Sequence, residues 1–390
     1  MQKGQSNFVS SFSFFRDTVG ALRDFRFPIP GCGPQPPHPS LAELFPRSRR
    51  GGGRGGGARG APGRGRARRG GMGGGADARV LDLTGEQRAG LDGVELPGDL
   101  EELELQQNRL EELDERVYAL GRLRRLALRK NRLRDLSGLA RMAAAGSLTE
   151  LVLADNVLKV LPEQLSAFAS LRVLDASYNI LRSLEPLREA PASLRTLYAA
   201  SNKIASLEGL QGASALTQAD LGCNRIRDIS LLAQLQGLED LWLGSNKIAE
   251  VPEGFTLPHL LKLSLQSNRL TAAPRLEGCP ALRELYLSHN GIDSIAGVGG
   301  LVNLRVLDVS NNRIAAIEGL EELKDLEDLW ANDNAIDSME NVVTGLAGPS
   351  ASLHTVNLQG NPVATSEAYK ATLLHTLPNL RELDFRTVAC

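Results

Sequence analysis

Residues 304–323 read LRVLDVSNNRIAAIEGLEEL. Leu304, Leu307 and Val309 are spaced so that the last two alternate with a polar residue, and Asn312 follows three positions on. Alternation with period two is the pattern of a strand with one apolar face. Ile314, Ile317, Leu320 and Leu323 then recur every three residues, which suits a 3₁₀ turn or a short helix. Asn312 is polar between apolar positions, so it must be buried and hydrogen-bonded to turn backbone; unpaired, it would cost about 1–3 kcal/mol.

The same frame begins at Leu100, Leu123, Leu148, Leu171, Leu194, Leu216, Leu238, Leu260, Leu282, Leu304, Leu326 and Leu353, and an asparagine closes every unit from Asn108 to Asn361. Six consecutive steps, from Leu194 to Leu326, are 22 residues long. This is a leucine-rich repeat. No unit can bury its own leucines, so the units stack and share one continuous core. The expected fold class is α/β: a solenoid with a concave parallel β-sheet and an outer face of 3₁₀ turns or short helices. Residues 78–99 keep the leucine spacing but carry Glu86 in place of asparagine, which reads as a degenerate first repeat. Residues 100–352 hold eleven repeats. Residues 353–390 hold the last repeat and a cap, a helix and a closing strand around Tyr369, Leu373, Leu377 and Leu383.

The formal net charge of -2 conceals a division. Residues 44–76 carry nine arginines and no acid, and residues 1–43 carry four bases and three acids, so residues 77–390 carry -2 - 9 - 1 = -12. Residues 1–77 are rich in Pro, Gly and Arg and cannot build a core, so they read as a disordered arm. An Arg/Gly arm of this kind can touch RNA, whereas Asp17 and Asp24 count against a transit peptide. Translation from Met72 is an alternative start. An acidic repeat body disfavours nucleic acid. No apolar run is long enough for a membrane helix. Cys32, Cys223, Cys279 and Cys390 lie far apart, which suits neither a zinc site nor a disulfide framework and fits a reducing compartment.

Chemistry of the catalytic kind is not legible. The histidines share no frame position, and neither a nucleophile elbow, a Walker loop nor an H-E-x-x-H motif occurs. The reading is a non-enzymatic protein without cofactor. The informative residues are those between the two inward apolar positions of each strand, because they must face the concave side. Both tryptophans of the chain, Trp242 and Trp330, fall there, with Tyr198, Tyr286, Asp175, Asp220 and Asp308. Glu150, Asp240, Glu284 and Asp328 lie two residues earlier and face the same way. Aromatics beside carboxylates on an open face are the composition of a protein-binding hot spot.

The run Leu282-Arg283-Glu284-Leu285-Tyr286-Leu287-Ser288-His289-Asn290-Gly291-Ile292 resembles the regulatory subunit 7 family of type-1 protein phosphatase. So do residues 329–334 (LWANDN) and the ending through Asn361-Pro362, Leu377-Pro378 and Leu383-Asp384, and the resemblance holds in frame over residues 78–388. It implies a regulatory subunit of nucleus and cytoplasm whose concave face binds the phosphatase catalytic subunit, alongside a second inhibitory subunit. Such a subunit is expected to be monomeric by itself. Carried over in frame, the family contacts fall on Asp175, Tyr198, Asp220, Trp242, Asp308, Asp328 and Trp330. Tyr198 and Trp242 replace the usual phenylalanine, Asp220 the usual glutamate, and Asn357 the usual tyrosine. Two other adaptors of this repeat class stand as alternatives: a ciliary axoneme assembly factor and a spliceosomal RNA-associated subunit.

Overall fold

The computed structural model describes residues 79–388; the Arg/Gly arm and the alternative start at Met72 lie outside them. Fifteen short strands form one sheet in strict chain order, from β1 (Val80–Asp82) to β15 (Arg386–Thr387). All neighbours are parallel except the last pair, β14 (Glu382–Leu383) with β15. Strands of three residues are possible because the register repeats without slippage. β11 (Val306–Asp308) pairs with β12 (Asp328–Trp330) so that Leu307 lies on Leu329 and Asp308 on Trp330. The middle residue of each strand therefore enters one buried row, in which Leu103, Leu126, Leu174, Leu241, Leu307 and Leu329 are fully covered. A slip of one residue would turn that whole row to solvent.

The repeat asparagines bind successive units together. Asn246 Nδ2 donates to Leu243 O of its own repeat at 2.9 Å and to Leu221 O of the preceding one at 3.0 Å. Its Oδ1 accepts from Ile226 N at 3.0 Å. The same three-way bond recurs at Asn131, Asn179 and Asn312. The residue just before each repeat asparagine is left-handed, from Gln107 at φ 54° to Gly360 at φ 80°. Eleven of these twelve are not glycine, each at a cost of about 1–2 kcal/mol. The bonds of the following asparagine hold the backbone there.

The outer side is more varied than the spacing suggests. Short 3₁₀ turns occupy Ser137–Arg141, Leu165–Ala167, Glu185–Glu189, Leu210–Gly212, Ser230–Gln234 and Ala296–Val298. The repeat that begins at Leu304 has neither a 3₁₀ turn nor a helix there, although Ile314, Ile317, Leu320 and Leu323 are all buried. Gly319 sits at φ 71°, which breaks helical bonding in that stretch, and a Cβ there would meet Ala296 Cα at 2.9 Å. The longest repeat, from Leu326, places its extra residues in the helix Met339–Gly345, whose N-cap Ser338 accepts from Asn341 N at 3.2 Å.

Both ends of the stack are finished. At the first, Asn108 Nδ2 donates to Leu83 O at 3.0 Å and its Oδ1 accepts from Arg88 N at 2.9 Å, so the degenerate repeat is tied on without an asparagine of its own. At the other, the helix Tyr369–Thr376 lies over the last repeat and the chain closes with the β14–β15 hairpin. Asp384 turns left-handed, so the closing element folds back as a hairpin. Its Oδ1 accepts from Leu358 N at 2.9 Å and from the Tyr369 hydroxyl at 3.1 Å.

Candidate protein-binding face

Two rows of side chains stand on the concave face, one on each side of the buried leucine row's middle residue. The strand register places Asp175, Tyr198, Asp220 and Trp242 side by side on β5 (Val173–Asp175), β6 (Thr196–Tyr198), β7 (Gln218–Asp220) and β8 (Asp240–Trp242). Tyr286, Asp308 and Trp330 follow on β10 (Glu284–Tyr286), β11 and β12, with Asp328 beside them in the other row. Between the two groups runs β9 (Lys262–Ser264), which contributes a lysine and a serine. The eight residues thus form two clusters.

The face is less open than its sequence suggests. Neighbouring strands lie about 4.8 Å apart, so large side chains in one row cover each other. Trp330 retains 9% of its surface and Tyr286 6%, and Asp220 and Asp308 are buried as well. Asp175, Tyr198, Trp242, Asp240 and Asp328 are half-buried. The expectation of a solvent-facing column is corrected accordingly: Trp242 and Tyr198 are the aromatics a partner can reach, and Trp330 is closer to a packing residue.

Three aspartates have a structural task that the column reading overlooks. Asp175, Asp220 and Asp308 each accept, through Oδ1, the backbone N–H two residues on, at 3.0, 2.9 and 3.0 Å. Asn357 does the same for Gln359 N at 3.1 Å. This is the local turn bond that Asp and Asn favour, and it closes the strand. The signal was available in the sequence as Asp or Asn two residues before Ser, Gly or Gln in the loop.

The row also contains cations. Arg125 donates to Glu104 Oε1 at 2.6 Å and pairs with Glu150. Lys262 Nζ lies 2.9 Å from Glu284 Oε2, which also accepts the Tyr286 hydroxyl at 2.8 Å. Glu284 is therefore neutralised within the protein, while Glu104 and Glu150 share one cation. Arg125 and Lys262 occupy the same frame position as the acids and were legible in the same way.

What remains negative is concentrated. Burial pushes the Tyr198 phenol up to about 12, and the fields of Asp175, Asp220 and Asp240 add to it. Tyr198 therefore stands neutral among three carboxylates and donates to Gln218 Oε1 at 3.2 Å. Burial also raises the Asp240 and Asp328 carboxyls, against the opposing influence of Lys262 and of the Thr355 hydroxyl respectively. Raised carboxylates are desolvated charges that a cationic group would satisfy. Among the described residues no group of three or more His, Cys, Asp or Glu could hold a metal ion, and no helix is long and apolar enough to cross a membrane.

Comparison with known proteins agrees with this architecture. Residues 281–390 match a leucine-rich repeat family, and residues 258–299 match paired leucine-rich repeats. A Leptospira interrogans leucine-rich-repeat protein superposes with a TM-score of 0.65 at 27% identity, over 73% of this chain and 72% of that one. An internalin of Listeria monocytogenes superposes at 0.57 with 22% identity, over 80% and 88%, a likeness of fold alone. The chain is 43% identical over 164 residues to an Arabidopsis thaliana protein named protein phosphatase 1 regulatory inhibitor subunit PPP1R7 homolog. That match takes in 42% of this chain and spans half the length of the relative. The chain has the leucine-rich-repeat fold and is similar over that stretch to a protein named as a homolog of a phosphatase regulatory inhibitor subunit.

Proposed function

We propose that this protein is a non-catalytic regulatory subunit that binds the catalytic subunit of type-1 serine/threonine protein phosphatase through its concave face. The observation that carries the reading is the cluster on β5–β8, where half-open Trp242 and Tyr198 stand among Asp175, Asp220 and Asp240. An aromatic anchor ringed by carboxylates suits an apolar spot bordered by Arg or Lys on the partner. The relationship to a protein named as a regulatory inhibitor subunit supports the choice of partner. Tyr286, Asp308, Asp328 and Trp330 would form the second contact. The same reading carries a second inhibitory subunit and a location in nucleus and cytoplasm.

The test is binding of purified phosphatase catalytic subunit to the full chain and to Trp242→Ala, followed by biolayer interferometry. Truncating a central aromatic costs about 2–4 kcal/mol, so affinity should fall by about 30-fold or more. Unchanged affinity in a folded Trp242→Ala protein would remove β8 from the interface.

A further inference from the structure

The concave face is not the protein's sole ordered row of charge. The residue directly after each repeat asparagine forms another, on the edge where the chain leaves the sheet. In the four successive repeats closed by Asn202, Asn224, Asn246 and Asn268 it is Lys203, Arg225, Lys247 and Arg269. Their backbone N–H groups donate to Leu181, Ile204, Ile226 and Ile248 O of the preceding repeats at 2.8, 2.8, 2.9 and 2.8 Å. These bonds hold the four cations one repeat apart, about 4.8 Å.

Such a row repels itself, and none of its four cations is in an ion pair with a described acid. The residues just before the four asparagines are Ser201, Cys223, Ser245 and Ser267, and those two places beyond the cations are Ala205, Arg227, Ala249 and Thr271. None is acidic. One place further along stand two acids, Asp228, which commits an oxygen to Ser230 N at 2.8 Å, and exposed Glu250, and neither pairs with the row. The ion pairs of the described residues lie elsewhere, as with Arg188 and Glu185 or Arg305 and Glu327. Arg225 and Arg269 are exposed, Lys203 and Lys247 half-buried. In the two preceding repeats the same row continues as Val157 and Ile180, and Val157 is 39% exposed with Val160 beside it at 61%.

We propose that this edge binds an extended acidic peptide, its carboxylates or phosphates laid along Lys203, Arg225, Lys247 and Arg269 and an apolar side chain seated at Val157 and Ile180. The row of four spans about 14 Å, the reach of four or five extended residues. A nucleic acid fits less well, because the row turns apolar at one end and residues 77–390 carry -12 overall, which repels a long polyanion. The proposal is independent of the phosphatase reading, and its test contains no phosphatase.

Fluorescence anisotropy of a labelled peptide of about five Asp and Glu residues ending in Leu, titrated with the full chain, reads the interaction directly. Saturable binding is expected, weakening from about 50 to about 200 mM salt. Lys203→Glu/Lys247→Glu should lower affinity about tenfold, while Arg172→Glu/Arg195→Glu, with the same charge change at exposed positions where the chain enters the sheet, stays within about twofold. Circular dichroism confirms that both double variants fold. The proposal fails if the peptide does not bind, if the two double variants lose affinity equally, or if single-stranded oligouridine of equal charge binds as tightly.

Discussion

Two tryptophans at equivalent positions in the same row have different fates, and the difference lies in their neighbours. Trp242 stands between Asp220 and Ser264 and keeps part of its ring open, whereas Trp330 keeps only 9% of its surface. Trp330→Ala should therefore destabilise the protein by about 3 kcal/mol, as a cavity at a largely buried aromatic does, and lower the urea midpoint. Trp242→Ala should leave that midpoint nearly in place. Asp240 invites a second comparison. Its carboxyl is raised by burial, so the folded state binds more protons than the unfolded one, and this group's unfavourable contribution grows as pH rises through the window between the two pKa values. Asp240→Asn should accordingly raise the melting temperature at neutral pH and flatten its dependence on acidic pH. In phosphatase binding the sign reverses: a cationic partner favours the ionised carboxyl, so affinity should weaken on acidification in the wild type and less so in the variant. The positions of these residues were legible in the sequence, since the frame alone assigns them to the concave face. Their exposure was not, because mutual covering depends on the sizes of side chains 22 residues away.

At the level of the element, each strand owes its place to an asparagine. Asn246→Ala would leave Ile226 N without its acceptor in a buried turn and take one of two asparagine donors from each of Leu221 O and Leu243 O, which keep Asn224 and Asn268; a loss of about 1–3 kcal/mol follows. Chemical denaturation monitored by circular dichroism checks it, and Asn246→Asp should rescue little, since it restores the acceptor for Ile226 N but sets a buried carboxylate against two carbonyl oxygens. This element was the most legible part of the chain: a polar residue recurring in an apolar frame allows few other interpretations. The outer side was the least legible. Spacing by three describes Ile314, Ile317, Leu320 and Leu323 as well as it describes a 3₁₀ turn, yet Gly319 at φ 71° puts turns there instead. Apolar spacing reports which side chains face the core and leaves the backbone free to reach them by more than one route.

For the molecule as a whole, stability passes from one repeat to the next, so the ends matter more than their size suggests. Removing residues 366–390 would strip the helix Tyr369–Thr376 and Asp384 from the last repeat, leaving Val356, Leu358 and Val363 uncovered. Such a truncation should lower the melting temperature and promote self-association, seen by light scattering. The invariant register has a consequence of another kind. Because every strand repeats the last at one fixed step, the solenoid is a ruler: Trp242 and Trp330 are four strands, or about 19 Å, apart. Adding or deleting one complete 22-residue unit between them would change that separation by a single graduation while leaving the chemistry of either mark intact. The distance between the two contacts and the composition of each are thus set by separate features of the chain and can be altered independently.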